Sequence, residues 1–165
     1  EEHYGLALPR DLLVEFSGHV QKLTETLDRE VKTEEIYQCL LDTYVVDSEP
    51  YRLVDYDLLT GREQDQRCVA RVAVSENTLT IDGEGSGPIE AFVTALGETL
   101  NEPVTILSYQ EVAIGTGSDA QAICIVSIED REEGQRCYGI GLSRNTTTTA
   151  FNAVISAMNR RWSNS

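Results

Sequence analysis

The sequence predicts an α+β fold: duplicated βββα units packed about a pseudo-twofold axis, preceded by a small helical subdomain. Three observations carry this reading. Apolar residues recur at helical spacing as far as residue 47, and at period two after Pro50. The order strand, strand, strand, Gly-x-Gly, helix then occurs twice. The two closing helices repeat one apolar spacing, Ile89, Phe92, Val93 and Leu96 against Phe151, Val154, Ile155 and Met158. The boundaries this implies are 1–48 for a helical linker subdomain and 49–165 for the duplicated domain.

Each element has its own signal. Pro9 suits a helix start, where a missing N–H costs nothing. Leu13, Phe16, Val20, Leu23 and Leu27 then form an apolar seam. Thr33 reads as an N-cap before an acidic first turn, Glu34-Glu35, and Ile36, Leu40, Leu41 and Tyr44 line the second helix. A helical pair of this size needs a partner surface. Val54, Tyr56 and Leu58 alternate up to a turn at Gly61; Cys68, Ala70, Val72 and Val74 follow, then a turn near Glu76-Asn77. Leu79 and Ile81 run into Gly83-Glu84-Gly85-Ser86-Gly87-Pro88, where a helix begins. The second unit starts at Val104 and Ile106. Its middle strand, Ala122 to Ile128, is almost continuously apolar, which predicts burial on both faces. A charged turn at 130–134 and a strand through Tyr138 and Ile140 lead to Gly139-Ile140-Gly141 and the last helix. Ala91-Phe92 matches Ala150-Phe151 locally, and Ala95-Leu96 matches Ala157-Met158.

Composition narrows the function. The chain has 165 residues, 41% of them apolar and 25% charged, a globular balance. Thirteen basic residues against 28 acidic ones give a net charge of −15. Phosphate backbones and anionic membranes both call for basic clusters, so neither nucleic acid nor membrane is an expected partner. No apolar run approaches the roughly 20 residues of a membrane span. The chain starts at Glu1 and its only methionine is Met158, so a processed product or a piece of a longer protein is expected. Cys39, Cys68, Cys124 and Cys137 form no C-x-x-C pair, and three of them sit in alternating apolar stretches. Buried free thiols and a reducing, cytoplasmic setting are expected. His3 and His19 lack ligand partners at metal spacing, so no metal site is expected.

Few residues point to chemistry. Gly85-Ser86-Gly87 stands at a helix start, where free N–H groups and the helix dipole favour an anion such as a carboxylate. The same glycines could equally mark a sharp bend. Gly115 to Ala120 joins two strands with more glycine than a hairpin needs, and its Asp119 could hold an ammonium group or cap the turn. One of Thr146 to Thr149 reads as an N-cap. No Ser-His-Asp set, Cys-His pair or phosphate loop is present, so an independent enzyme lacks parts.

Several motifs together resemble a known family. Tyr4-Gly5-Leu6-x-Leu8-Pro9-Arg10 with Glu15-Phe16-Ser17 is similar to the stretch after the catalytic barrel of 2-isopropylmalate synthases. Gly85-Ser86-Gly87-Pro88-Ile89 with Ala91-Phe92-Val93 resembles that family's G-x-G-P motif. Ser108-Tyr109-x-Glu111 with Gly117 to Ala122 resembles its second motif, and Gly139-Ile140-Gly141 with Ala153 to Arg160 its ending. Residues 50–66 do not share in the resemblance.

The resemblance implies a C-terminal domain that dimerises and binds L-leucine as feedback inhibitor. The leading helices would pass the signal to a barrel of the same polypeptide that condenses acetyl-CoA with 2-oxoisovalerate. That barrel, with its divalent metal, would be absent from this chain, leaving the fragment inactive and without a cofactor or catalytic residue of its own. By position the resemblance places leucine against Gly85, Ser86, Gly87 and Ile89, then Ile106, Tyr109, Ala113, Ala120 and Leu142. Glu90 stands where a small or apolar residue is expected. The alternatives are an isoleucine-binding domain of citramalate synthase and a purely structural dimerisation module.

Overall fold

Pro9 is the N-cap of α1, which runs from Arg10 to Leu27. It stops at Asp28, which takes the left-handed conformation (φ 51°) and donates its N–H to Thr24 O. Helix α2 is Thr33–Tyr44. Its first turn is fixed by Glu35, whose carboxylate accepts the Lys32 N–H at 3.1 Å and both Nη atoms of Arg29. Lys32, and not Thr33, holds the N-cap position. The computed structural model describes residues 7–114, 120–129 and 135–163.

The first unit contains β1 (Tyr51–Thr60), β2 (Gln66–Val74), β3 (Asn77–Gly85) and α3 (Pro88–Glu98). The second contains β4 (Ile106–Ile114), β5 (Gln121–Glu129), β6 (Arg136–Ser143) and α4 (Thr146–Ser163). Each set of strands forms an antiparallel sheet in sequence order. Each sheet lays its helix against its last two strands. Thus the predicted duplication of βββα units is the observed architecture, and residues 50–66 lie mainly in β1.

The repeated Gly-x-Gly pairs belong to the strands. A Cβ on Gly83 would sit 2.3 Å from the Ala95 backbone nitrogen, and one on Gly139 2.2 Å from that of Ala157. Gly85 and Gly141 meet Ala91 and Ala153 in the same way. These glycines let α3 and α4 lie directly on the sheet backbone. They also fix the true equivalence of the helices. Ala91 corresponds to Ala153 and Ala95 to Ala157, so the local match of Ala91-Phe92 with Ala150-Phe151 is a coincidence of sequence.

One core spans both units. Cys68, Ala70, Val72 and Ile81 meet α3, while Cys124, Val126, Ile128 and Cys137 meet α4. Phe92 of α3 stacks on Phe151 of α4, with centroids 4.2 Å apart and planes 8° from parallel. The second core lies on the far face of β4–β6, where Ile123, Ile125, Tyr138 and Ile140 pack under Leu12, Phe16, Leu40 and Tyr44. The helical pair therefore covers the outer face of the second sheet, and β5 is buried on both faces as its composition predicts. The seam of α1 runs through Leu12 rather than Leu13, which is 38% exposed. All four cysteines are free, and only Cys39 is not buried.

Candidate functional site at the junction of the two units

Helix α3 begins at the end of β3, with Gly87 as its N-cap and Pro88 at its first position. Its first internal bond runs from Ala91 N–H to Gly87 O at 3.0 Å. The N–H groups of Ile89 and Glu90 precede that bond, so the helix does not satisfy them. They carry the positive end of the helix dipole. This helix start faces β4 of the other unit across a cavity of about 490 Å³. That volume falls within the usual range for small-molecule sites, about 300–1,000 Å³.

One wall is Ser86 and Gly87 of the turn before α3 with Pro88, Ile89, Glu90 and Val93 of α3, and the wall from β4 is Ile106 and Tyr109. A second space of about 140 Å³ continues past Ile89 and Tyr109 to Glu111 and to Thr146, Thr147 and Ala150 of α4. The lining is mainly apolar, with acidic groups at the rim. Glu90 turns back and accepts the Ser86 hydroxyl. The Tyr109 phenol donates to Glu111. Burial, and then this carboxylate, push that phenol well above its ordinary range. Beneath it Cys124 is pushed up to about 12, first by burial and then by Glu111, which leaves an inert thiol.

The structure brings together Ser86, Gly87, Ile89, Ile106 and Tyr109 of the residues expected at a site. Gly85 adjoins them as a packing glycine under α3, with a Cβ position 2.6 Å from Ala91 N. Ala113 shares the face of β4 that carries Tyr109 and Glu111, but lies two residues beyond Glu111, outside both walls. Ala120 precedes β5 and likewise lines neither space. Leu142 is displaced altogether. It pairs with Ile123 and packs in the core under α1 and α2, on the opposite face of the sheet. The physical reason is strand alternation: Gly141 faces α4, so its neighbour must face away. Asp119 lies outside the described residues. Among the described residues no group of His, Cys, Asp and Glu is arranged to hold a metal, and no helix is long and apolar enough to cross a membrane.

Sequence reasoning missed Pro88, Val93, Glu111, Thr146, Thr147 and Ala150. Val93 follows Ile89 by one helical turn, so helical spacing could have found it. The α4 residues reach the site only through the packing of the two units, which no local pattern records.

Residues 30–162 match the LeuA allosteric (dimerisation) domain. The chain belongs to that family. A 2-isopropylmalate synthase of Ralstonia nicotianae is 34% identical over 160 residues, covering 97% of this chain and 28% of the relative. One from Pseudomonas fluorescens is 36% identical over 166 residues, with the same coverage. One from Clostridium acetobutylicum is 30% identical over 165 residues, covering 97% of this chain and 29% of the relative. The chain thus spans less than a third of the length of these curated relatives. Its likeness to them is a likeness to one region, and that region is the allosteric domain.

Proposed function

We propose that this chain is the C-terminal regulatory and dimerisation domain of a cytoplasmic 2-isopropylmalate synthase, and that it binds L-leucine as feedback inhibitor. The observation that carries the reading is the apolar cavity between the open start of α3 and β4. An amino acid suits its parts. The carboxylate meets the free N–H groups of Ile89 and Glu90. The ammonium lies toward the Glu90 carboxylate, which gives this unexpected side chain a use. An isobutyl group is enclosed by Ile89, Val93 and Ile106. The catalytic barrel and its divalent metal belong to another part of the same polypeptide, and the domain alone does not condense acetyl-CoA with 2-oxoisovalerate.

Calorimetry and thermal scans with leucine, isoleucine, valine and no ligand test this. Moving one methyl from γ to β in an apolar pocket changes affinity by about 10- to 200-fold. Leucine at 100 times its dissociation constant adds about 2.7 kcal/mol. For a chain of this size that raises Tm by roughly 5–10 °C. Gly87→Val should abolish the shift and leave the fold intact, because no atom lies within 4 Å of a Cβ placed there. A larger shift with isoleucine would assign the domain to a citramalate synthase. No shift with any of the three would leave a structural dimerisation module.

A further inference from the structure

Duplication gives the fold two equivalent junctions: one holds a cavity, and in the other two aromatic side chains meet. We propose that the second is a ligand site permanently occupied by the chain's own side chains, so that each chain binds one effector molecule and not two. The stoichiometry rests on the effector-binding reading above; the closure itself does not.

Strand register identifies the equivalent positions. Gly83 pairs with Cys68, and Gly139 with Val126. One strand further, Leu58 pairs with Cys68 and Tyr109 with Val126, while Tyr56 pairs with Ala70 and Ile106 with Ile128. Leu58 therefore corresponds to Tyr109, and Tyr56 to Ile106. The helix equivalence of Ala91 with Ala153 makes Phe151 the counterpart of Ile89. In the open junction Ile89 and Ile106 line a cavity of about 490 Å³. In the other, Phe151 and Tyr56 are in edge-to-face contact, with centroids 4.8 Å apart. Two aromatic rings occupy the place where two isoleucines leave room.

The helix ends differ in the same sense. Pro88 corresponds to Ala150, so α4 begins one turn earlier than α3. That extra turn is Thr146 to Thr149. Asn145, not a threonine, caps it by accepting the Thr148 N–H at 3.0 Å. Thr149, the counterpart of Gly87, is fully buried and donates to Asn145 O at 2.8 Å. The Tyr56 hydroxyl bonds Thr148 Oγ1 at 2.7 Å and locks the strand to this turn. The N–H groups that are free at Ile89 and Glu90 thus have counterparts inside a helix, where they are already bonded. The second junction thus holds an aromatic contact and a helix interior where the first holds a cavity and a helix terminus.

Unliganded thermal scans test the closure. Phe151→Ile should lower Tm by roughly 5–10 °C, because it empties a filled site and removes both ring contacts. The double variant Ile89→Phe with Ile106→Tyr transplants the aromatic pair into the open junction. It should fold, stay within about 3 °C of the parent and lose leucine binding. A Phe151→Ile variant as stable as the parent, or a double variant that unfolds, would overturn the proposal. If Phe151→Ile does not fold at all, Tyr56→Phe removes the hydroxyl alone and should cost roughly 2–4 °C; no loss would count against the closure. Calorimetric titration of the parent should give one L-leucine per chain, and two per chain would refute the proposal. If the parent shows no heat with leucine, the effector assignment fails, and the scans still decide the closure.

Discussion

Replacing Gly139 by Ala tests how the helices are held on the sheets. The added Cβ would lie 2.2 Å from Ala157 N, 2.5 Å from Ala153 O and 2.7 Å from Ala157 Cα. Ordinary contact begins near 3.4 Å, so α4 must retreat from β6 by more than 1 Å. All three neighbours are backbone atoms, so no change of rotamer relieves the clash. The retreat opens the layer that holds Phe151, Val154, Ile155 and Met158, all 1% exposed or less. Overpacking of this kind costs about 1–3 kcal/mol, and a clash with helix backbone belongs at the upper end. At roughly 2–4 °C per kcal/mol, Tm should fall by about 6–12 °C. Gly87→Ser is the control: its φ of −151° is extended, its Cβ meets nothing within 4 Å, and serine is a good N-cap. It should stay within about 2 °C. Thermal scans and urea titrations of both variants check this, with the urea midpoint moving and its slope unchanged. An unchanged Tm for Gly139→Ala, or an equal loss for Gly87→Ser, would refute the packing argument.

Other perturbations follow from specific contacts. Asn159 is fully buried; it accepts the Tyr51 N–H at 2.9 Å and donates to Val46 O at 2.6 Å and Tyr51 O at 2.9 Å. Asn159→Ala removes all three of these bonds from a fully buried site, so a Tm loss near 10 °C is expected in a thermal scan. Glu35 is held at about 2, first by hydrogen bonds from Arg29 and then by the Lys32 N–H. Its folded value lies below the unfolded one, so its contribution is present above about pH 4.5 and is lost as pH falls toward 2. The stability gap between the parent and Glu35→Gln should close across that window, as acid titration by circular dichroism would show. A thiol reagent at pH 8 should label Cys39 first, because Cys68, pushed up to about 11, and Cys124, pushed up to about 12, are buried and protonated. Mass spectrometry of the labelled peptides reads this directly.

Much of the fold was legible because burial follows period. The switch at Pro50 separates helices from strands, and the apolar run of β5 announces cover on both faces. What remained ambiguous was phase. Leu12 and Leu13 both lie at helical spacing from Phe16, and only the docking of α1 on Ile123 and Ile125 selects Leu12. The glycines show a similar limit. Gly83, Gly85 and Gly87 look alike in sequence, yet two of them admit helix backbone and the third caps a helix beside a cavity. Leu142 could have been placed correctly from its neighbours, since Gly139 and Gly141 mark the helix-facing side of β6. The α4 wall of the site could not, because it depends on how two units meet.

The units diverge most where they must do different work. By register Arg67 of β2 corresponds to Ile125 of β5, and both point away from the closing helices. Arg67 forms an exposed bidentate pair with Asp82, beside the pair of Arg71 with Asp55. Ile125 is 1% exposed under Phe16 and Tyr44. Exposed ion pairs contribute little stability, typically 0–1 kcal/mol. They do keep one sheet face wet, while the other is apolar enough to hold the helical pair. The pair is further fixed by Arg160, which lies 4.3 Å over the Tyr44 ring and 3.9 Å from Glu15. That arginine is in the last turns of α4, whose first turn borders the cavity. One helix thus touches both the open junction and the helices that precede the duplication. Among the described residues the outer face of the first sheet carries the Arg67–Asp82 and Arg71–Asp55 pairs where the second carries Ile125, so α4 borders the open junction at one end and the helices docked on the second sheet at the other.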